Sequence, residues 1–237
     1  MLVTDRHPAQ LFSHPPTRRR QDLANRGHSP SAILDAVAEA PCPFEETFRR
    51  VMEGGSIEAV VVSDANEHFI NHYLAAHELD GLISRVISNR SEIKDGALHV
   101  AAYHSHTCTR NAYPCAVNMC KGDIVLSLLN DKSYSKVWYL GDGSGDFCPA
   151  KILLEASRNA DGPPLDVRIF CRRGWSLHRR LQLEYLDMLD AEERVCVEAQ
   201  VVPWGVVEDG SSGDGRAHGD ARDYAALATA LRAARPQ

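Results

Sequence analysis

The chain has 237 residues, of which 44% are hydrophobic and 24% charged, and its formal net charge is -6 at pH 7. These values are typical of a globular protein with one domain and an insertion, or with two small domains. They argue against non-specific nucleic-acid binding, and no apolar stretch approaches the ~20 residues needed to span a bilayer or resembles a secretion signal. An odd number of cysteines, seven, favours a reducing, cytoplasmic setting over a disulfide framework.

The first quarter of the chain is predicted to contain a polar leader, two short helices and a buried strand. Residues 1–28 are rich in Pro, Arg and His without a sustained period, so we expect a disordered leader. Ser29-Pro30 is a helix-start signal, and two helices are expected within residues 29–55. The run Ile57–Val62 then predicts a buried strand that ends at Ser63.

The rest of the chain is predicted to alternate strands with helices. In chain order we expect a helix through Phe69–Leu74, an apolar run Leu82–Ser88, a hairpin strand Asp95–Val100, an irregular segment His104–Cys120, a helix from Lys121, strands Val137–Leu140 and Val167–Phe170, a helix Leu177–Leu189, a strand region Val195–Trp204 and a final helix Tyr224–Ala234. This alternation indicates parallel pairing. The predicted fold class is α/β, a Rossmann-like parallel sheet flanked by helices.

Two aspartates, Asp142 and Asp146, follow the strand Val137–Leu140 on a glycine-rich loop. The carboxyl end of a parallel strand is where α/β folds bind ligands. Carboxylates there suit Mg²⁺, which favours one or two of them together with waters and a substrate phosphate. We therefore predict a magnesium site in which Asp142 is a direct ligand and Asp146 orients the ligands or pairs with Lys121. A turn that is merely rich in Asp and Gly is the alternative.

Three further polar residues are candidates for phosphate chemistry. The hydroxyl of Ser63 can donate to a phosphoryl oxygen, and Asp64 can accept from a substrate hydroxyl or amine, although serine after a strand is commonly a turn residue. Lys121 at a helix start can neutralise charge that builds up in the transition state. The alternative for Lys121 is an ordinary surface lysine.

The order of these motifs resembles the second, third and fourth motifs of the haloacid-dehalogenase (HAD) phosphatases. The matching segments are Val60–Asn66, Asn118–Lys121 and Gly141–Pro149, with Arg172–Gly174 and Val202–Trp204 downstream. They look like the signatures of the branch that contains the phosphoethanolamine/phosphocholine phosphatases and the pyridoxal phosphate phosphatases. The resemblance covers approximately Ile33–Trp204.

The resemblance implies Mg²⁺-dependent hydrolysis of a small phosphomonoester through an aspartyl-phosphate. Phosphocholine, phosphoethanolamine and pyridoxal 5′-phosphate lead as substrates, with neither nucleic acid nor membrane as a partner. Ser63 would bind the transferring phosphoryl group, Asp64 the leaving group, and Lys121 the nucleophile and phosphate, while Asp142 would hold the metal. The resemblance also implies a reduced helical cap at 29–55 and a phosphatase core at 56–207. The Gly/Ser/Asp-rich composition after residue 207, followed by an alanine-rich amphipathic run, predicts a linker and a C-terminal helix at 208–237.

The chain departs from the family's pattern at the nucleophile. The family uses the first Asp of a DxDxT motif, and no such motif occurs in this sequence; the nearest candidate is Asp5, with His7 where the second carboxylate belongs. We expect residues 1–20 to replace a native start. Two alternatives stay open: a catalytically inactive remnant that binds Mg²⁺ or phosphate, and a zinc-binding interaction module.

The zinc alternative rests on a cluster of cysteine and histidine residues: His104, His106, Cys108, Cys115 and Cys120. Thiolates and imidazoles at close spacing suit structural Zn²⁺, but this spacing matches no standard finger. The other interpretation is a loop with buried thiols and hydrogen-bonded imidazoles. The remaining cysteines are predicted to be small core hydrophobes: Cys42, Cys148, Cys171 and Cys196.

Overall fold

The computed structural model describes residues 29–42, 45–53, 57–111, 114–159, 164–205 and 221–234. These residues belong to two compact units. The first unit contains the described residues of 29–42 and 57–121, and the second contains those of 45–53 and 122–234.

The helices and strands follow one another along the chain much as predicted. They are α1 (Pro30–Ala38), α2 (Glu45–Met52), β1 (Val60–Val62), α3 (Glu67–Ala76), β2 (Arg85–Ile87), β3 (Ser91–Lys94), β4 (Ala97–Val100), α4 (Lys121–Asp131), β5 (Lys136–Gly141), α5 (Phe147–Ser157), β6 (Asp166–Arg172), α6 (Ser176–Arg180), α7 (Ala191–Gln200), β7 (Val201–Trp204) and α8 (Ala221–Ala234). A π turn and a 3-10 turn extend α6 through Met188.

The first unit is built on a parallel pair of strands. Strand β1 pairs with β2, with Val62 opposite Ile87, and all three residues of β1 are buried. Helix α3 packs against α1 and against β2. Strands β3 and β4 form an antiparallel hairpin whose turn, Asp95-Gly96, has φ of +52° and +73°. Two positive φ values are the mark of a tight hairpin turn, for which Asp-Gly is a favoured sequence.

The second unit is built on three parallel strands in the order β5-β6-β7. Lys136 pairs with Asp166 at the start of β5, and Arg172 pairs with Trp204 at the end of β6. Helices α5 and α7 pack against β6, and α8 packs against β7. Parallel pairing requires such helical crossovers, which cover the faces of the sheet. The predicted α/β class, with parallel strands flanked by helices, is confirmed.

The prediction of a strand region from Val195 to Trp204 is wrong over its first six residues, which are helical. Helix α7 begins because the Asp190 side chain accepts hydrogen bonds from the backbone N–H groups of Glu192 and Glu193, at 3.0 and 2.9 Å. Of the apolar run Val195–Val197, only Val197 is buried. Cys196 is exposed, so its prediction as a core residue is also wrong, whereas Cys148 and Cys171 are buried.

Several predictions lie outside the described residues or are not tested by them. The leader 1–28 with Asp5, and most of the linker that follows residue 207, lie outside the described residues. The division into leader, cap remnant, core and C-terminal segment stays a prediction. Within the described residues, no helix combines the length and apolarity needed to cross a membrane.

Candidate active site

The loop after β5 is organised by the buried carboxylate of Asp146. Its Oδ1 accepts a hydrogen bond from the Tyr139 hydroxyl at 2.7 Å. Its Oδ2 accepts from the backbone N–H groups of Asp142 and Gly143, at 3.1 and 3.0 Å. Asp146 is 0% exposed, and a buried carboxylate is tolerated only when its oxygens are satisfied in this way. Oδ2 therefore fixes the backbone on which Asp142 stands, and Oδ1 anchors the carboxylate to the Tyr139 hydroxyl.

The same loop leaves no room for a side chain at Gly141. A Cβ placed on Gly141 would come within 2.7 Å of the Asp146 side chain, closer than any ordinary contact. At Gly145 the same test meets nothing within 4 Å. Gly141 is thus required for the close packing of the end of β5 against the Asp146 carboxylate, whereas Gly145 has space for a side chain.

Helix α6, which follows β6, also contacts the loop after β5. The backbone N–H of Leu177 donates to the Asp142 carbonyl at 3.0 Å. The Arg180 guanidinium donates to the Ser144 carbonyl at 3.0 Å and lies over the Phe147 ring, 4.1 Å from its centroid. These contacts hold the loop from a second side, so the position of Asp142 is set by β5 and α6 together.

The two aspartates of this loop differ in how well they suit the binding of a magnesium ion. Asp142 is 7% exposed and supplies the hard carboxylate oxygens that Mg²⁺ prefers. Asp146 spends both oxygens on the loop and on Tyr139. The arrangement suits Asp142 as the ligand and Asp146 as the group that positions it, one of the two roles that the sequence predicts for Asp146.

In the first unit, the turn after β1 is held by two asparagine amides. Asn89 Nδ2 donates to the carbonyls of Asp64 and Ala65, at 2.7 and 2.8 Å. Asn118 Nδ2 donates to the same Asp64 carbonyl at 3.4 Å. The backbone N–H of Ser63 donates to Ile87, so the turn starts as a continuation of the β1–β2 pairing. Sequence reasoning missed Asn89, whose only local signal is its place after the apolar run Leu82–Ser88.

Lys121 opens helix α4 and is only 3% exposed. Lysine is among the residues most rarely buried, so the alternative of an ordinary surface lysine is wrong. Ser63 is likewise buried, and its Oγ accepts from the backbone N–H of Ala65 at 3.3 Å. Ser63, Asp64 and Lys121 belong to the first unit, and Asp142 and Asp146 to the second.

The carboxyl end of β6 carries a buried cation and two perturbed groups. Arg172 is buried, with its guanidinium carbon 4.5 Å from the centroid of the Trp175 ring. Burial raises the pKa of the Cys171 thiol to about 12. Burial, and then the charges of Arg173 and Arg179, lower the pKa of His178. The backbone N–H of Gly174 donates to His178 Nδ1 at 3.2 Å, which requires that nitrogen to be unprotonated.

The fold and the loop after β5 define an α/β protein with a carboxylate site at the end of a parallel strand. The model of the family described as Putative Phosphatase matches residues 17–212. The chain belongs to this family, and its resemblance to the HAD-like phosphatases is thereby confirmed.

The curated relatives are phosphatases by name. The chain is 33% identical over 199 residues to the probable phosphatase phospho1 of Danio rerio, covering 79% of this chain and 64% of that protein. It is 31% identical over 185 residues to the human phosphoethanolamine/phosphocholine phosphatase, covering 76% and 62%. It is 29% identical over 136 residues to the mouse pyridoxal phosphate phosphatase PHOSPHO2, covering 55% and 51%. The chain thus spans between half and two thirds of the length of these relatives.

Proposed function

We propose that this protein hydrolyses a small phosphomonoester in a Mg²⁺-dependent reaction that proceeds through an aspartyl-phosphate. The observation that carries the proposal is the set of hydrogen bonds by which the buried Asp146 carboxylate holds the loop that bears Asp142. A buried charge committed to one backbone conformation is typical of a site that needs a preorganised ligand. Membership of a phosphatase family supports the same chemistry.

In this proposal Asp142 holds the magnesium ion and Asp146 positions Asp142. Magnesium, when bound, supplies positive charge that offsets the charge of the phosphoryl group. Asp146 does not contact the ion in this proposal. It orients Asp142 by accepting hydrogen bonds from the backbone N–H groups of Asp142 and Gly143. Residues that orient a metal ligand typically change activity or metal affinity by about 10–100-fold when replaced.

Three further residues are proposed to contact the phosphoryl group and the leaving group. Ser63 donates its hydroxyl to a phosphoryl oxygen, and Lys121 adds a buried positive charge that stabilises the phosphate and nucleophile. Asp64 contacts the leaving group, on a turn whose backbone Asn89 and Asn118 fix. Fixed polar groups reduce the reorganisation that the reaction requires.

The proposed substrates are small phosphorylated metabolites in the cytoplasm. Phosphocholine, phosphoethanolamine and pyridoxal 5′-phosphate come first because the relatives named above carry these compounds in their names. No nucleic-acid or membrane partner is proposed. Residues 29–55 are proposed as what remains of a cap, and residues 56–207 as the phosphatase core.

The nucleophile is sought by measuring the intact mass of the native protein from its source. The given sequence has a mass of 26.2 kDa and no DxDxT motif. If the native mass is larger, the nucleophile is to be sought in sequence outside these 237 residues. A mass of 26.2 kDa favours the inactive relative, which would bind phosphate without turnover.

The experiment that tests the function compares three forms of the native-length protein. Phosphate release from the three candidate substrates is measured with Mg²⁺ and with a chelator, for the wild type, Asp142→Ala and Asp166→Asn. Asp166 lies at the opposite end of the same strands, in half-exposed ion pairs with Lys136 and Arg168. We expect Asp142→Ala to abolish turnover without loss of circular dichroism and Asp166→Asn to keep it. Unchanged hydrolysis by Asp142→Ala, or wild-type turnover in chelator, contradicts the assignment.

A further inference from the structure

The described residues of the segment 101–120, which are 101–111 and 114–120, form no helix or strand, yet they are tied down at several points. The backbone N–H of Cys120 donates to His104 Nε2 at 3.1 Å, and His106 Nε2 donates to the Ala116 carbonyl at 2.6 Å. Loops of this length without their own helix or strand are uncommon in compact domains and usually have a function. The two histidines bring the beginning and the end of this loop together.

Three thiols meet where the loop closes. The sulfur atoms of Cys108, Cys115 and Cys120 all lie within 4.8 Å of one another. The Sγ atoms of Cys115 and Cys120 are 3.7 Å apart. A tetrahedral zinc ion with Zn–S bonds near 2.3 Å separates two sulfurs by about 3.8 Å. The observed separation is that of two thiols in contact, matches the spacing of two zinc ligands, and is far from the ~2.05 Å of a disulfide.

We propose that Cys108, Cys115 and Cys120 form a zinc-binding site. Three soft thiolates select Zn²⁺ over the hard Mg²⁺ that carboxylates select. A tetrahedral zinc ion takes four ligands, of which these thiols supply three. This site differs in its chemistry from the aspartate loop after β5, since its ligands are thiolates and not carboxylates.

The surroundings of the thiols support a charged, ordered site. Arg110 Nη1 lies 3.4 Å from Cys108 Sγ and brings a positive charge to a site that carries net charge -1 with three thiolates and Zn²⁺. The His106 ring accepts at Nδ1 from the backbone N–H of Cys108 at 3.2 Å. The histidines thus orient the backbone that bears the thiols, and the cysteines supply the ligands.

Binding releases protons, because thiols bind zinc as thiolates. Each of the three thiols loses its proton to the solvent when its sulfur bonds to the ion, and no oxidation takes place. The affinity of the site must therefore fall as the pH is lowered. The bound ion would also tether the loop that carries Asn118, whose amide holds the Asp64 carbonyl.

The test uses Co²⁺ and Zn²⁺ alone, with no phosphorylated substrate, so its result is independent of the phosphatase proposal. We expect one equivalent of Co²⁺ to give thiolate-to-cobalt charge-transfer bands, and one equivalent of Zn²⁺ to remove them. The variants Cys108→Ser, Cys115→Ser and Cys120→Ser should each bind at least about 10-fold more weakly. Cys196→Ser, an exposed cysteine on α7, is the matched control and should bind like the wild type.

A second measurement on the wild type avoids any folding defect of the variants. Iodoacetamide labelling, followed by peptide mass spectrometry, should show zinc protecting Cys108 and Cys115, the two cluster cysteines that are not fully buried, and leaving Cys196 reactive. The absence of charge-transfer bands, equal affinity in cluster and control variants, or no protection by zinc overturns the proposal.

Discussion

Replacing Asp146 by asparagine tests whether its charge holds the loop after β5. The substitution keeps the shape of the side chain: its oxygen can still accept from the backbone N–H groups of Asp142 and Gly143, and its NH₂ can donate to the Tyr139 oxygen. What is lost is the charge. Hydrogen bonds to charged groups contribute about 1.5–3 kcal/mol and neutral ones about 0.5–1.5. With two backbone bonds weakened, we expect a loss of about 2–3 kcal/mol in the free energy of unfolding.

Tryptophan fluorescence during urea unfolding measures this loss. All three tryptophans, Trp138, Trp175 and Trp204, lie in the second unit, so the signal reports the unit that contains the loop. Urea m-values of about 1–3 kcal/mol per M convert the expected loss into a midpoint shift on the order of 1 M. The matched control is Asp166→Asn, which removes half-exposed ion pairs with Lys136 and Arg168 and should cost about 0–1 kcal/mol. A shift for Asp146→Asn no larger than for the control refutes the role of the charge.

Three further predictions concern the same unit. Gly141→Ala should destabilise it by about 1–3 kcal/mol in the urea assay through overpacking, while Gly145→Ala should stay within about 0.5 kcal/mol; equal effects contradict the close packing. The pKa of His178 is lowered on folding, so the unfolded chain binds the proton first, near pH 6.5. The stability of the wild type relative to His178→Gln should therefore fall as the pH drops from about 7 to about 5, and a constant difference contradicts the shift. Cys171, with a pKa of about 12, should resist iodoacetamide in the native protein at about pH 8.5 while exposed Cys196 reacts; equal labelling by peptide mass spectrometry counts against its burial.

The sequence predicted the features whose physical cause is local. The helix start at Ser29 needs only its own hydroxyl and the following Pro30, and the Ser29 side chain does accept from the Ala32 N–H at 3.2 Å. The strand β5 and its aspartate loop were likewise visible as an apolar run that stops at glycine. In each case the residues that decide the structure are neighbours in the chain.

Features that depend on distant contacts or on competing local signals were not predicted. Asn89 acts on a carbonyl 25 residues earlier in the chain, and no spacing rule connects the two. For residues 195–200 the prediction followed the apolar run Val195–Val197, which is typical of a strand. The structure follows the helix-capping side chain of Asp190 instead. The role of Asp146 as an organiser needed the position of the Tyr139 hydroxyl, which only the folded strand supplies.

The asparagines that hold the turn after β1 have a consequence for how the protein can diverge. Asn89 and Asn118 contact main-chain carbonyls of Asp64 and Ala65, atoms that every amino acid possesses. Substitutions at positions 64 and 65 therefore leave these hydrogen bonds chemically unchanged. The backbone path of the turn therefore does not depend on its side chains at these positions. If Asp64 contacts the leaving group as proposed, a single mutation there changes the ligand preference without changing these hydrogen bonds.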